Sequence, residues 1–371
     1  MKKINHFANK LKKENSNTER KRYIDCVKGF AIICVVLGHI NREENVLCNW
    51  IYSFHLPVFF IVSGILFNIK DNWKIKDTKN FIVKKVSDLL WPYVTFSIIT
   101  IIMKGLQGEA NVILEIVQKT ICFDGYSVLW FLPTMFIAEV LFYCLFKKRD
   151  KREYSCLCIF VLLLLLNILC TYYLSNIFSI KKEYAEWYLI IINIFNRTIV
   201  ATIFMILGYY GYEIIKIIER KNIEKNIIIV VGGLLFIANI FISQRNGLVD
   251  LHYSKLNNMA LYYLCANMGS WGLIYIMKYF IKSNTVLEYF GKNSLIVMCT
   301  HLSLSLIGIS KIVIQLLHIF TKMFYVDNLI ILIFVLILEC IIIQIINNLT
   351  KFIIKVPIIK RKKRINKILN N

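Results

Sequence analysis

Apolar residues in this chain do not alternate with polar ones; they run on. Ile159–Leu166 and Leu329–Leu338 are wholly apolar, and similar runs recur from end to end. A half-buried strand alternates every second residue and a soluble helix every three or four, so runs of this length belong to helices surrounded by lipid. A membrane β-barrel would show short alternating segments instead. The pattern predicts ten spans at about 23–40, 47–68, 86–103, 127–146, 155–178, 197–215, 226–243, 259–281, 293–317 and 326–349. The expected fold is all-α: a polytopic membrane protein with about ten transmembrane helices in one bundle.

No connecting segment is long enough to hold a soluble catalytic domain, so any chemistry belongs to the membrane domain, residues 23–349. It is flanked by basic tails at 1–22 and 350–371. The first 22 residues are too charged for a cleavable leader, and the first span is expected to stay as an anchor. Nothing in the two halves repeats with matched broken helices, as inverted-repeat transporters do.

Charge sharpens this picture. The 371 residues carry 45 Lys and Arg against 23 Asp and Glu, a net charge of +22. Such an excess invites a nucleic-acid reading, but about three quarters of the cations fall in the two tails and alternate loops, the signature of cytoplasmic segments. Both termini are therefore expected in the cytoplasm, and the charge is assigned to topology and anionic headgroups, not to nucleic acid. The 11 Cys contain no CxxC pair and sit mostly within spans, so neither a disulfide framework nor a metal site is expected. The abundance of Ile, Asn and Lys fits an AT-rich bacterial genome and a location in the bacterial cytoplasmic membrane.

Ionisable residues inside a bilayer are costly and mark function more often than chance. The first span holds three of them in DCVKGFAIICVVLGHI: Asp25, Lys28 and His39. Eleven residues are close to three helical turns, so Lys28 and His39 share a face about 16 Å apart, with Asp25 placed to pair with Lys28. A snorkelling lysine and an interfacial histidine would account for them equally plainly. The second span contains FHLPVFFIVSG, residues 54–64, which sets His55 at a depth similar to His39; Ser63–Gly64 suits close helix approach. Two imidazoles at one depth form a candidate acid–base pair.

Lys28-x10-His39 followed by FHLPVFFIVSG resembles the acyltransferase-3 family of membrane acyltransferases, most closely its fucose 4-O-acetylase-like subgroup. KKVSDLLWPY (84–93), LWFLPTMF (129–136), the span led by Arg197 ending in LGYYGY, and LEYFGKNSLIVMCTH (287–301) follow in the family's order. The resemblance implies transfer of an acyl group, usually acetyl, from cytoplasmic acetyl-CoA to a hydroxyl of a surface or lipid-linked carbohydrate. Under it, Lys28, Lys84 and Lys85 are candidates for the donor's phosphates. His39 is the candidate base or acyl relay, and His55 and His301 are secondary catalytic candidates. Arg197, Trp130 and Glu139 are candidates for the acceptor, although a helix-end anchor, an aromatic belt and a partner for a buried cation are plainer roles for the three. Asp250 and His252, in an outer loop, are read first as solvated. The rival reading is a transporter or flippase of a lipid-linked glycan.

Overall fold

The computed structural model describes residues 21–41, 43–70, 78–147, 153–180, 187–321 and 323–369. Among them every regular element is a helix, apart from one isolated bridge between Asp250 and Lys255. In order these are α1 (Arg22–Asn41), α2 (Val46–Phe54), α3 (Pro57–Lys70), α4 (Thr78–Lys85), α5 (Trp91–Leu106), α6 (Ala110–Ile121), α7 (Phe131–Phe146), α8 (Glu153–Ile180), α9 (Trp187–Arg220), α10 (Lys225–Asn246), α11 (Met259–Tyr275), α12 (Thr285–Lys292), α13 (Ser294–Ser303), α14 (Leu306–Leu316) and α15 (Phe324–Leu369). Wide π turns at Val86–Leu90 and Ile276–Ile281 join α4 to α5 and extend α11.

The membrane character is confirmed, with a different count. Among the described residues eight helices or joined helices are long and apolar enough to cross a bilayer, or nine if α13 and α14 form one broken span. The expected span at 293–317 is that broken pair, bent by 64°. The expected span at 259–281 is a helix of sufficient length, but it is not apolar enough to count. It buries Tyr262, Cys265, Ala266, Gly269, Ser270, Gly272 and Leu273 against neighbouring helices, and a helix clad in protein has no need of an apolar circumference. The expected amino-terminal tail lies outside the described residues up to position 20. At the other end the backbone stays helical through Leu369, beyond the expected end of the last span.

Lipid-facing rows are plain. On α15, Ile333, Ile337, Ile341 and Ile345 repeat every four residues and all are exposed; on α10, Ile227, Val230, Leu234, Ile237 and Phe241 form a second exposed row at alternating spacings of three and four. Polar groups turn inward instead. Asn167, Thr171 and Asn196 bond across α8 and α9, and Asn239 ties α10 to Ser53 of α2.

Two helix crossings bring backbones nearly into contact. A Cβ placed on Gly64 of α3 would lie 2.0 Å from the Met205 oxygen of α9, and one on Gly208 of α9 would lie 2.1 Å from the Ile61 oxygen of α3. The α1–α12 crossing repeats the device: a Cβ on Gly29 would meet the Leu287 oxygen at 1.9 Å, and one on Gly291 the Asp25 oxygen at 1.8 Å. Reciprocal glycines let two helices lock by dispersion where lipid offers no hydrophobic drive. These crossings fix α1, α3 and α9, the helices that carry the polar residues below.

Candidate active site

Three histidines from distant parts of the chain meet at the end of the bundle where α1 finishes. Each stands at a break in a helix. His39 is in the last turn of α1. His55 lies in the turn between α2 and α3, just ahead of Pro57, which lacks the N–H needed to continue the α2 ladder. His301 comes two residues before α13 stops, and Ser305, held in the left-handed region at φ 54°, turns the chain into α14. Helices that stop inside a bundle leave space beyond their last turns.

That space is a cavity of about 420 Å³. His39, Tyr52, His55, Trp130, Asp250 and His252 line it, with Met298 and Leu302 of α13. The His39 and His301 ring centres are 5.2 Å apart. Tyr52 stands between the other pair, 6.4 Å from His39 and 4.9 Å from His55. His55 and His301 are both buried.

Two of the three have their tautomer set by the backbone. The Nδ1 atoms of His55 and His301 each lie 2.7 Å from the carbonyl oxygen four residues earlier, Ile51 and Val297. A carbonyl only accepts, so each neutral ring donates from Nδ1 and carries its lone pair on Nε2.

Lys28 sits where the shared face requires, three turns back along the same unbroken helix. Its ammonium is 3.9 Å from the Asp25 carboxylate. Lys85 is held elsewhere: Nζ lies 2.6 Å from Glu139, whose other oxygen accepts from Ser63 at 2.5 Å, and the ammonium sits over the Phe67 and Phe81 rings. Glu139 thus has a cation as its partner, the half-buried Lys85. Lys84 beside it is exposed.

Arg197 is not at a helix end. α9 begins ten residues earlier than the span expected at 197–215, and Arg197 is fully buried within it. Nη1 lies 3.1 Å from Asp124 Oδ1, and Nη2 donates to the carbonyls of Asp124 (2.8 Å) and Phe123 (3.2 Å). The guanidinium also lies 5.1 Å from the Trp130 ring centre, and Trp130 stacks on His252 at 5.3 Å with the planes 4° apart. Arg197 and Trp130 therefore clamp the 123–124 turn and the 247–258 loop over the cavity.

That loop is fastened, not solvated. Asn193 donates to the His252 carbonyl at 2.8 Å and accepts from Ser254 at 2.6 Å, while the Asp250 carboxylate accepts the His252 backbone N–H at 2.9 Å. Burial, reinforced by Arg197 and Lys119, holds the His252 imidazole well below its ordinary pKa, so the ring stays neutral. Burial pushes the Asp250 carboxyl up, and the Asp124 carboxyl likewise despite Arg197.

Sequence reasoning underweighted His252 and missed Asp124, Tyr52 and Glu339. Glu339, fully buried in α15, accepts from the Thr300 hydroxyl at 2.8 Å, next to His301. A lone carboxylate in an apolar run was the signal available, the same one that singled out Glu139. Among the described residues no three His, Cys, Asp or Glu side chains converge as metal ligands.

Residues 21–348 match the sequence family described as an acyltransferase domain, acyltransferase-3. No curated protein matches the chain, and no solved structure does.

Proposed function

Because the chain belongs to the acyltransferase-3 family, we propose that it is an O-acetyltransferase, moving acetyl from cytoplasmic acetyl-CoA to a carbohydrate hydroxyl at the far face of the bacterial cell membrane. The observation that carries the reading is the meeting of His39 and His55 on one cavity at the end of α1 opposite Lys28, with the His301 ring 5.2 Å behind His39.

His39 takes the proton of the acceptor hydroxyl as that oxygen attacks the thioester carbonyl. The carbon–sulfur bond then breaks, and the same proton returns to the departing CoA sulfur. His301, 5.2 Å away, and His55, beyond Tyr52, orient His39 and buffer its proton. Lys28, with Lys84 and Lys85, meets the donor's phosphates on the cytoplasmic side, and the pantetheine arm follows the Lys28–His39 face. Both termini lie in the cytoplasm on this reading, as the loop charges support. Arg197 and Trp130 act on the acceptor through the clamped loop, while Glu139 holds Lys85 in place on the donor side.

The test uses the purified chain in liposomes with labelled acetyl-CoA enclosed and glycan outside. Label on the glycan, lost with His39→Ala at unchanged protein level, is the expected result. Glycan movement without acetyl transfer overturns the reading in favour of a transporter.

A further inference from the structure

The break between α13 and α14 opens a second cavity, of about 510 Å³, on the other side of His39. His39, Ser127 and Leu302 line both spaces, so the two adjoin at the candidate base. The linings differ in chemistry. The histidine cavity is walled by rings and apolar side chains, with Asp250 on it. The second is lined by Lys104 and Lys311 together with the hydroxyls of Thr100, Tyr126, Ser127, Ser303 and Ser305, and no carboxylate lines it.

Two backbone positions build it. Ser127 and Ser305 both hold left-handed φ, 53° and 54°, although neither is glycine. Such positions are strained and persist where the surroundings impose them, most often around ligand sites. Gln107 Nε2 donates to the Ser305 hydroxyl at 3.3 Å, closing the wall between α5 and α14. Lys104 is met by Glu109 at 2.9 Å from the rim, where Glu109 is well exposed and exchangeable with solvent. Among the described residues no carboxylate pairs with Lys311, which is exposed on α14.

Two ammonium groups and four hydroxyls, the Thr100 proton being spent on the Phe96 carbonyl, surround a space that ends at the base and make a receptor for an oxyanion attached to the group being acylated. We infer that this cavity is the acceptor subsite and that the acceptor is an anionic carbohydrate, its carboxylate or phosphate held by Lys104 and Lys311 while the reacting hydroxyl reaches His39. This rests on the acetyl-transfer reading above and names its substrate class. A phosphate-bearing and a carboxylate-bearing sugar share the chemistry, and so does the headgroup of an anionic phospholipid, so the experiment separates them.

The full chain is reconstituted in phosphatidylcholine vesicles, with and without phosphatidylglycerol. Wild type, Lys104→Gln/Lys311→Gln and Lys104→Arg/Lys311→Arg are compared. Acetyl transfer is measured to a methyl glucoside, a methyl glucuronide and a glucose phosphate. In parallel, the reactivity of Lys104 and Lys311 toward an amine-acylating reagent is read by mass spectrometry with each sugar present. The expected result is a kcat/KM at least about tenfold higher for one or both anionic sugars than for the neutral one. The Gln pair erases that preference through KM and the Arg pair keeps it, and the favoured sugar shields both lysines; which anion wins identifies the oxyanion. Transfer that ignores charge, with no shielding, overturns the subsite and leaves the acetyl-transfer reading standing. Shielding by an anionic sugar without any transfer upholds the anion site and overturns that reading. Shielding by phosphatidylglycerol vesicles that no sugar displaces overturns the acceptor assignment.

Discussion

Two clusters of buried ionisable side chains sit a few residues apart in space and behave in opposite ways. Around Arg197, both terminal nitrogens are taken up by Asp124 and by backbone oxygens of 123, 124 and 252, and the guanidinium lies over Trp130. Around His39, two imidazoles each hold a carbonyl four residues back through Nδ1 alone, and His39 and His55 open onto a cavity. Intramembrane charge alone therefore does not identify a catalytic residue. What separates the clamp from the catalyst is how many of its donors are already committed, and whether open space adjoins it.

The largest effect expected is on the clamp. Arg197→Ala strands the Asp124 carboxylate and should cost about 3–5 kcal/mol of stability, seen as a large drop in the midpoint of thermal unfolding in detergent. Equal stability with lost activity would instead make Arg197 part of the chemistry and dissolve the contrast. On the other side, His39→Ala should lower acetyl transfer by about 10²–10⁴-fold while the unfolding midpoint stays within a degree or two. His301→Asn keeps a donor toward Val297 but removes the second ring, and a fall of roughly 10²-fold in kcat with KM unchanged is expected for a misplaced base. Glu139→Gln weakens the Lys85–Ser63 cluster by about 1–3 kcal/mol, and the unfolding midpoint should fall without a change in KM for the acceptor.

The smallest effect concerns pH at the loop. The folded-state pKa of His252 lies below its ordinary value. Its neutral ring therefore stabilises the closed loop above about pH 6.5, and that contribution is lost as pH falls toward the folded value, because the unfolded loop then binds the extra proton. Asp250 is shifted up and works in the opposite direction, but only nearer the carboxylate range. Relative to the intrinsic exchange rate at each pH, amide protection across 247–258 should therefore fall between pH 8 and pH 5.5 in the wild type and not in His252→Gln.

Much of this was readable along the chain. Lipid-facing rows such as Ile333–Ile337–Ile341–Ile345 announce themselves because lipid is uniform and demands only apolar surface. The common face of Lys28 and His39 followed from one unbroken helix, and the break at His55 from Pro57. The break after His301 was not readable, since no Pro or Gly marks it and Ser305 adopts its left-handed turn only because its neighbours compel it. Nor was the eighth expected span's character: α11 tolerates tyrosines, asparagine and serine because protein, not lipid, surrounds its buried face.

By itself, then, the sequence determined that this is an all-helical membrane protein, which residues face lipid, and that His39 and Lys28 lie on one face; these depend on local periodicity and on a uniform solvent. Only the tertiary structure decided that His39, His301 and His55 share a neighbourhood, that Arg197 is spent on Asp124, and that a loop histidine closes the cavity. Those outcomes depend on which distant segments touch, and hydrogen-bond commitments between them have no period to read.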